Sequence, residues 1–145
     1  MKNIDWSNLP FGYHKTDYNV RCHYRNGSWG ELEVSSSEYL SIHQSATALH
    51  YGQQAFEGMK AYRGKNGDIR VFRWEENYKR MARSADGILM EPVPKEVFRD
   101  AIFKVVKLNE RWLPPYGTGA ALYIRPLLFG SGAEIGVKPA QDYLF

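Results

Sequence analysis

The chain has 145 residues, enough to bury the core of one domain, and its 43% hydrophobic and 24% charged residues exclude a disordered or fibrous protein. The net charge is only +3, and Lys and Arg are scattered rather than blocked, which argues against a nucleic-acid partner. Cys22 is the single cysteine, so no intrachain disulfide can form.

Residues 1–17, with Pro10 and Gly12, read as an irregular N-terminal arm, and residues 18–145 as one domain. Tyr18, Val20, Cys22 and Tyr24 alternate loosely and predict a strand over 17–25, in which Cys22 is a small buried hydrophobe. Asn26-Gly27 is a strong hairpin signal, with residues 28–34, carrying Trp29, as the return strand. A turn at Ser35-Ser36-Ser37-Glu38 precedes a short apolar strand over 39–42.

The stretch 49–62 organises the rest. Its first half, with Gly52, Gln53 and Gln54, reads as a turn or short helical coil. From Phe56 the pattern alternates, placing Phe56, Gly58, Lys60 and Tyr62 on one face and Glu57, Met59 and Ala61 on the other. Gly58 leaves room for close approach of a backbone or a ligand. Tyr51 and Phe56 beside that glycine suit the wall of an apolar pocket, or a core strand with no site at all. Turn residues over 63–68 lead to a strand over 69–72, which closes a second hairpin.

From Trp74 the period becomes helical. Trp74, Tyr78, Met81, Ala82, Ala85 and Leu89 form the stripe, Glu75 and Glu76 favour the first turn, and Gly87 weakens the end. Pro94 suits the first position of a second helix. Its stripe runs through Val97, Phe98, Ala101, Ile102, Val105, Val106 and Trp112, stopping before Pro114-Pro115. Residues 120–129 predict one central strand, 130–140 a loop and 142–145 the opening of another strand. The sum is an α+β two-layer domain with a mostly antiparallel sheet packed against two helices. The chain ends within an apolar strand, so the expectation is the front part of a longer protein. No apolar run is long enough to span a membrane and residues 1–6 hold no signal core, so no membrane partner is expected and the location expected is cytoplasmic.

Two arginines carry candidate chemistry. Arg80 stands near the edge of the first helix's apolar stripe, where a guanidinium can hold a phosphate or simply join a solvated basic face with Lys79 and Arg83. Tyr123 and Arg125 are two apart in a strand and share one face. An Arg flanked by Leu122, Ile124 and Leu127 wants a carboxylate from a ligand or from the protein, unless it snorkels out to water. Glu57 suits a buried hydrogen bond or ion pair better than acid–base work. His14, His23, His43 and His50 show no metal-ligand spacing with Cys22 or one another, so no metal is expected. No phosphate-binding glycine loop and no nucleophile elbow is present.

Three blocks in order carry a resemblance. They are Leu49-His50-Tyr51-Gly52-x-x-x-Phe56-Glu57-Gly58-Met59-Lys60-Ala61-Tyr62, then Phe72-Arg73-x-x-x-Asn77-x-x-Arg80-x-x-x-Ser84-Ala85, then Tyr123-Ile124-Arg125-Pro126-Leu127. Together, across about residues 18–145, they resemble the branched-chain amino-acid aminotransferases. These are pyridoxal 5'-phosphate enzymes whose fold type is shared with D-amino-acid aminotransferases and aminodeoxychorismate lyase. The resemblance implies that Arg80 holds the cofactor phosphate and that Tyr51, Phe56 and Tyr123 line the substrate pocket. It implies that Arg125 recognises a carboxylate, the distal one of 2-oxoglutarate or glutamate above all. It also implies transamination of leucine, isoleucine or valine, and a homodimer formed through the 130–138 loop. Trp74 departs from the proline common at that position in the fold type. The family's catalytic lysine lies in a second, larger C-terminal domain that this chain does not include. No catalytic residue is therefore expected here, and the segment alone is expected to be inactive and to hold the cofactor weakly or not at all. The alternatives are a non-catalytic binding or dimerisation module of the same fold, or another enzyme of the fold type.

Overall fold

The computed structural model describes residues 4–145. Met1, Lys2 and Asn3, at the start of the expected arm, lie outside the described residues. The chain order is β1 (Asn19–Arg21), β2 (His23–Arg25), β3 (Ser28–Trp29), β4 (Glu33–Ser35), α1 (Thr47–Tyr51), β5 (Gln54–Phe56), β6 (Met59–Arg63) and β7 (Ile69–Val71). Helices α2 (Trp74–Gly87) and α3 (Lys95–Leu108) follow, then a 3-10 turn (Glu110–Trp112), β8 (Leu122–Ile124), β9 (Leu127–Gly130) and β10 (Tyr143–Leu144). The fold is α+β with antiparallel pairing throughout, as the sequence led us to expect.

The expected single sheet is three: β1-β4, then β3-β2-β10-β9-β5, then β7-β6-β8. The divisions have local causes. The predicted strand over 17–25 parts at Cys22, because Arg21 pairs with Glu33 while Gly30 N–H bonds the His23 carbonyl at 2.8 Å. Two residues, Glu31 and Leu32, therefore oppose Cys22, a bulge that bends the ribbon. Cys22 itself is fully buried, and burial pushes its thiol pKa up. Asn26 (φ 52°) and Gly27 (φ 77°) make the expected tight turn.

The predicted strand over 120–129 parts at Arg125-Pro126, because Pro126 has no N–H to give the ladder. The register nevertheless runs unbroken across the gap. Gln54 opposes Phe129, Phe56 opposes Leu127, Met59 opposes Ile124 and Ala61 opposes Leu122. Glu57 N–H bonds the Pro126 carbonyl at 2.9 Å between them. β5-β6 and β8-β9 are thus one long antiparallel pair bent in the middle, and Gly58 sits opposite Arg125.

Residues 39–42 form no strand, contrary to the reading above. Arg21 Nη2 and Ser37 Oγ donate to the Tyr39 carbonyl at 3.0 and 3.2 Å, and Tyr39 N–H bonds Ser37 Oγ at 3.1 Å. Side chains have taken the groups a ladder would need. Pro94 caps α3 from just outside it rather than occupying its first turn. Leu89, placed on the α2 stripe from the sequence, is 68% exposed, because it turns left-handed (φ 58°) and hands the buried position to Met90. Met81 and Ala85 on α2, with Phe98, Ile102 and Val106 on α3, close over Met59, Ala61, Ile124 and Leu128 to make the core.

Candidate functional site

The bent pair sorts its side chains as the alternation requires. Ala55, Glu57, Met59 and Ala61 are buried, while Phe56, Gly58, Lys60 and Tyr62 are exposed. Because the register is continuous, Tyr123 and Arg125 lie on the same open face as Phe56 and Lys60.

On that face Arg125 is braced without a carboxylate. Its guanidinium carbon lies 4.5 Å from the Phe56 ring centre and 5.2 Å from that of Tyr123, and its Nε donates to the Tyr123 hydroxyl at 3.1 Å. Two cation–π contacts and one hydrogen bond hold the plane. Its terminal nitrogens make no hydrogen bond among the described residues. A planar fork so held has the geometry to meet a carboxylate in two contacts.

Tyr123 in turn explains Gly58. A Cβ on Gly58 would come within 2.5 Å of the Tyr123 hydroxyl, so the ring covers the glycine. The close approach foreseen for a backbone or ligand is made by this side chain. Beside it, Gly58, Lys60, Tyr62, Phe72, Asn77 and Tyr123 line an open hollow of about 570 Å³. Lys60 opposes Tyr123 in the ladder and makes no ion pair among the described residues. Sequence reasoning assigned Lys60 no role, although the same alternation puts it on the Arg125 face.

Beneath the strand lies a second arrangement. Glu57, 6% exposed, accepts from Arg80 Nε at 3.0 Å on Oε1. Its Oε2 accepts from Arg80 Nη2 and from Asn77 Nδ2, the latter at 2.9 Å. Asn77 also donates to the Gly58 carbonyl at 3.2 Å. The hydrogen bonding of Arg80 to the Glu57 carboxylate is the main reason its guanidinium is held charged beyond its ordinary range. Arg80 therefore belongs neither to the solvated basic face nor to the core. Its Glu57 edge is fixed while its side chain stays 55% exposed.

Tyr51 stands apart from these groups. Its hydroxyl donates to the Ile135 carbonyl, on a loop pinned by the Ala46–Ala133 bridge and by Glu134 N–H to the Ser45 carbonyl at 3.1 Å. Ile135 (71%), Val137 (88%) and Leu49 (60%) leave apolar side chains open beside it. The structure thus brings Phe56, Tyr123 and Arg125 together, sets Arg80 behind the strand, and places Tyr51 with the 130–138 loop.

A Haemophilus influenzae branched-chain-amino-acid aminotransferase is 52% identical over all 145 residues. The chain is similar to branched-chain aminotransferases over its whole length. It spans 42% of that aminotransferase, about two-fifths of the length of the curated relatives it matches. The branched-chain aminotransferase of Thermoproteus uzoniensis, solved with norvaline, superposes with a TM-score of 0.63 at 26% identity, over 88% of this chain and 39% of that one. A T.th. branched-chain amino acid aminotransferase, complexed with N-(5'-phosphopyridoxyl)-L-glutamate, superposes with a TM-score of 0.62 at 29% identity, over 89% of this chain and 40% of that one. No family model matches the chain.

Proposed function

We propose that this chain is the small domain, residues 18–145 behind an arm of 1–17, of a pyridoxal-phosphate-dependent branched-chain aminotransferase. In this reading it works with a larger domain that supplies the catalytic lysine, in a cytoplasmic homodimer. The amino group passes from leucine, isoleucine or valine to 2-oxoglutarate. The observation that carries the reading is the fork of Arg125, set over the rings of Phe56 and Tyr123 with its terminal nitrogens unbonded among the described residues, in a chain 52% identical to an aminotransferase of that name.

The donor set fits the cofactor at one corner. Arg80 has its Nε and one Nη engaged by Glu57 and its outer edge open, as a phosphate ligand needs. When bound, the cofactor supplies an electron sink for deprotonating the amino acid. The chain's own residues recognise and orient. Phe56 and Tyr123 offer apolar faces to an aliphatic side chain, and Arg125 offers its fork to the carboxylate of an acidic partner. Alternating use of one site by an aliphatic and an acidic substrate calls for such a surface, an arginine held against aromatic rings. The open apolar cluster of Leu49, Tyr51, Ile135 and Val137 supports the 130–138 loop as the homodimer contact.

The test is Arg125→Met in the intact polypeptide, assayed in each half-reaction. The kcat/KM for 2-oxoglutarate falls about 10- to 100-fold, the loss of one charge-assisted fork, while that for leucine changes much less. Equal losses for both substrates would remove Arg125 from recognition of the distal carboxylate, which leucine lacks. No transamination of leucine by the intact polypeptide would overturn the whole reading.

A further inference from the structure

We propose that Glu57 is a positioning residue, which aims Arg80 at a phosphate and couples that seat to the substrate face on the other side of the strand. The inference rests on the reading of Arg80 as a phosphate ligand. A carboxylate that is 6% exposed is costly to bury unless every oxygen is matched. Both oxygens of Glu57 are matched, by Arg80 Nε and Nη2 and by Asn77 Nδ2. Two parallel contacts fix the plane of the guanidinium as well as its place. The donors that remain, Nη1 foremost, lie on the edge away from Glu57, and the Arg80 side chain as a whole is 55% exposed. Lys79 and Glu76 form the ordinary surface pair on the same helix, with both side chains exposed and no third side-chain partner among the described residues. The Glu57 pair differs in having its acid buried and clamped by a second residue.

That second residue extends the coupling. Asn77 holds Gly58 by its carbonyl, and Gly58 is the residue Tyr123 covers. One buried carboxylate therefore joins α2, which carries Arg80, to the bend that carries Phe56 and faces Arg125. Arginine has much rotamer freedom to lose on binding, and a side chain already ordered loses less.

The experiment is equilibrium dialysis of the intact polypeptide with pyridoxamine 5'-phosphate and, separately, with pyridoxamine. The two ligands differ only in the phosphate. Their affinity ratio isolates that contact, whereas a general loosening of the fold lowers both affinities together. We expect Glu57→Gln to reduce the ratio about tenfold, the scale of ordering one long side chain. Asn77→Ala, which leaves the ion pair in place, should reduce it about threefold. The double variant Glu57→Gln/Arg80→Met, which strands no buried charge, should lose most of its preference for the phosphate. A wild-type ratio of one would overturn the Arg80 reading and this inference together. A preference lost in the double variant but untouched in both Glu57→Gln and Asn77→Ala would overturn the role of Glu57 alone. So would an equal loss of both affinities in Glu57→Gln.

Discussion

Gly58 is required by what Tyr123 does above it. A methyl group there meets the phenol oxygen at 2.5 Å, so Gly58→Ala tilts the ring and withdraws the acceptor from Arg125 Nε. The ring is only half-buried and can move, so the cost should sit near the low end for overpacking, about 1 kcal/mol in urea denaturation. Gly58→Ala/Tyr123→Phe removes the colliding oxygen and should recover part of that loss; a strictly additive pair would show that the clash is not the cause. At this scale much was legible. Alternation alone sorted Phe56, Gly58, Lys60 and Tyr62 from Glu57, Met59 and Ala61, and the chemistry of a carboxylate on the buried face called for a partner. Which partner it would be was hidden. Asn77 and Arg80 lie 20 and 23 residues away and reach Glu57 only after α2 has packed on the sheet.

Among the elements, β9 shows how a strand and a short helix come to share one seat. Gly130 ends β9 against α1, where an added Cβ would lie 2.0 Å from Thr47 Oγ1 and 2.9 Å from both Ala140 Cβ and Gln53 Oε1. Thr47 is buried there, Ala140 is short and Gln53 is tied to the Ile88 carbonyl and the Ala140 N–H, so this corner gives way less readily than Tyr123 does. Gly130→Ala should therefore cost about 3 kcal/mol, clearly more than Gly58→Ala in the same urea experiment. Equal losses would contradict this contrast between a mobile and a fixed neighbour. The two long helices were readable from period and proline punctuation. The strands were readable as runs but not as members of particular sheets. Cys22 and Pro126 each divide a run that looks continuous, one through an extra residue on the opposite strand and the other through a missing N–H. Helix α1 has five residues, too few for a periodic signal, and only Gly52, left-handed at φ 65°, marks its end.

Taken whole, the molecule closes its N-terminal segment onto the end of α3. Asn109, 3% exposed, accepts from the Asp17 and Tyr18 N–H groups at 2.9 and 3.0 Å and donates to the Tyr18 and Val105 carbonyls at 2.9 and 2.8 Å. Asp17 completes the clasp through Arg111 and the Trp112 indole. The Arg111 hydrogen bond, with that of Trp112, holds the Asp17 carboxyl below its ordinary pKa. A depressed folded-state pKa gives stability that is full above the unfolded value, about 3.9, and is lost as pH falls through the lower folded value. Trp112 fluorescence, read in a variant with Trp6, Trp29 and Trp74 replaced by Phe, should thus report the clasp releasing below about pH 4, and Asp17→Asn should flatten that acid limb; an unchanged limb would separate Asp17 from it. The unbroken register of the bent pair has a consequence for inheritance. Substitutions along it alter one side chain at a time, but a single codon inserted between Phe56 and Met59 would turn every later side chain over. Lys60 would be driven inward and Met59 out to water. A matching insertion near Arg125, or a bulge like the one opposite Cys22, would be needed to realign the partner strand. This segment should therefore vary by replacement and hold its length, and a library of one-residue insertions scanned across it should yield fewer folded members between the two sheets than in the turn over 64–67.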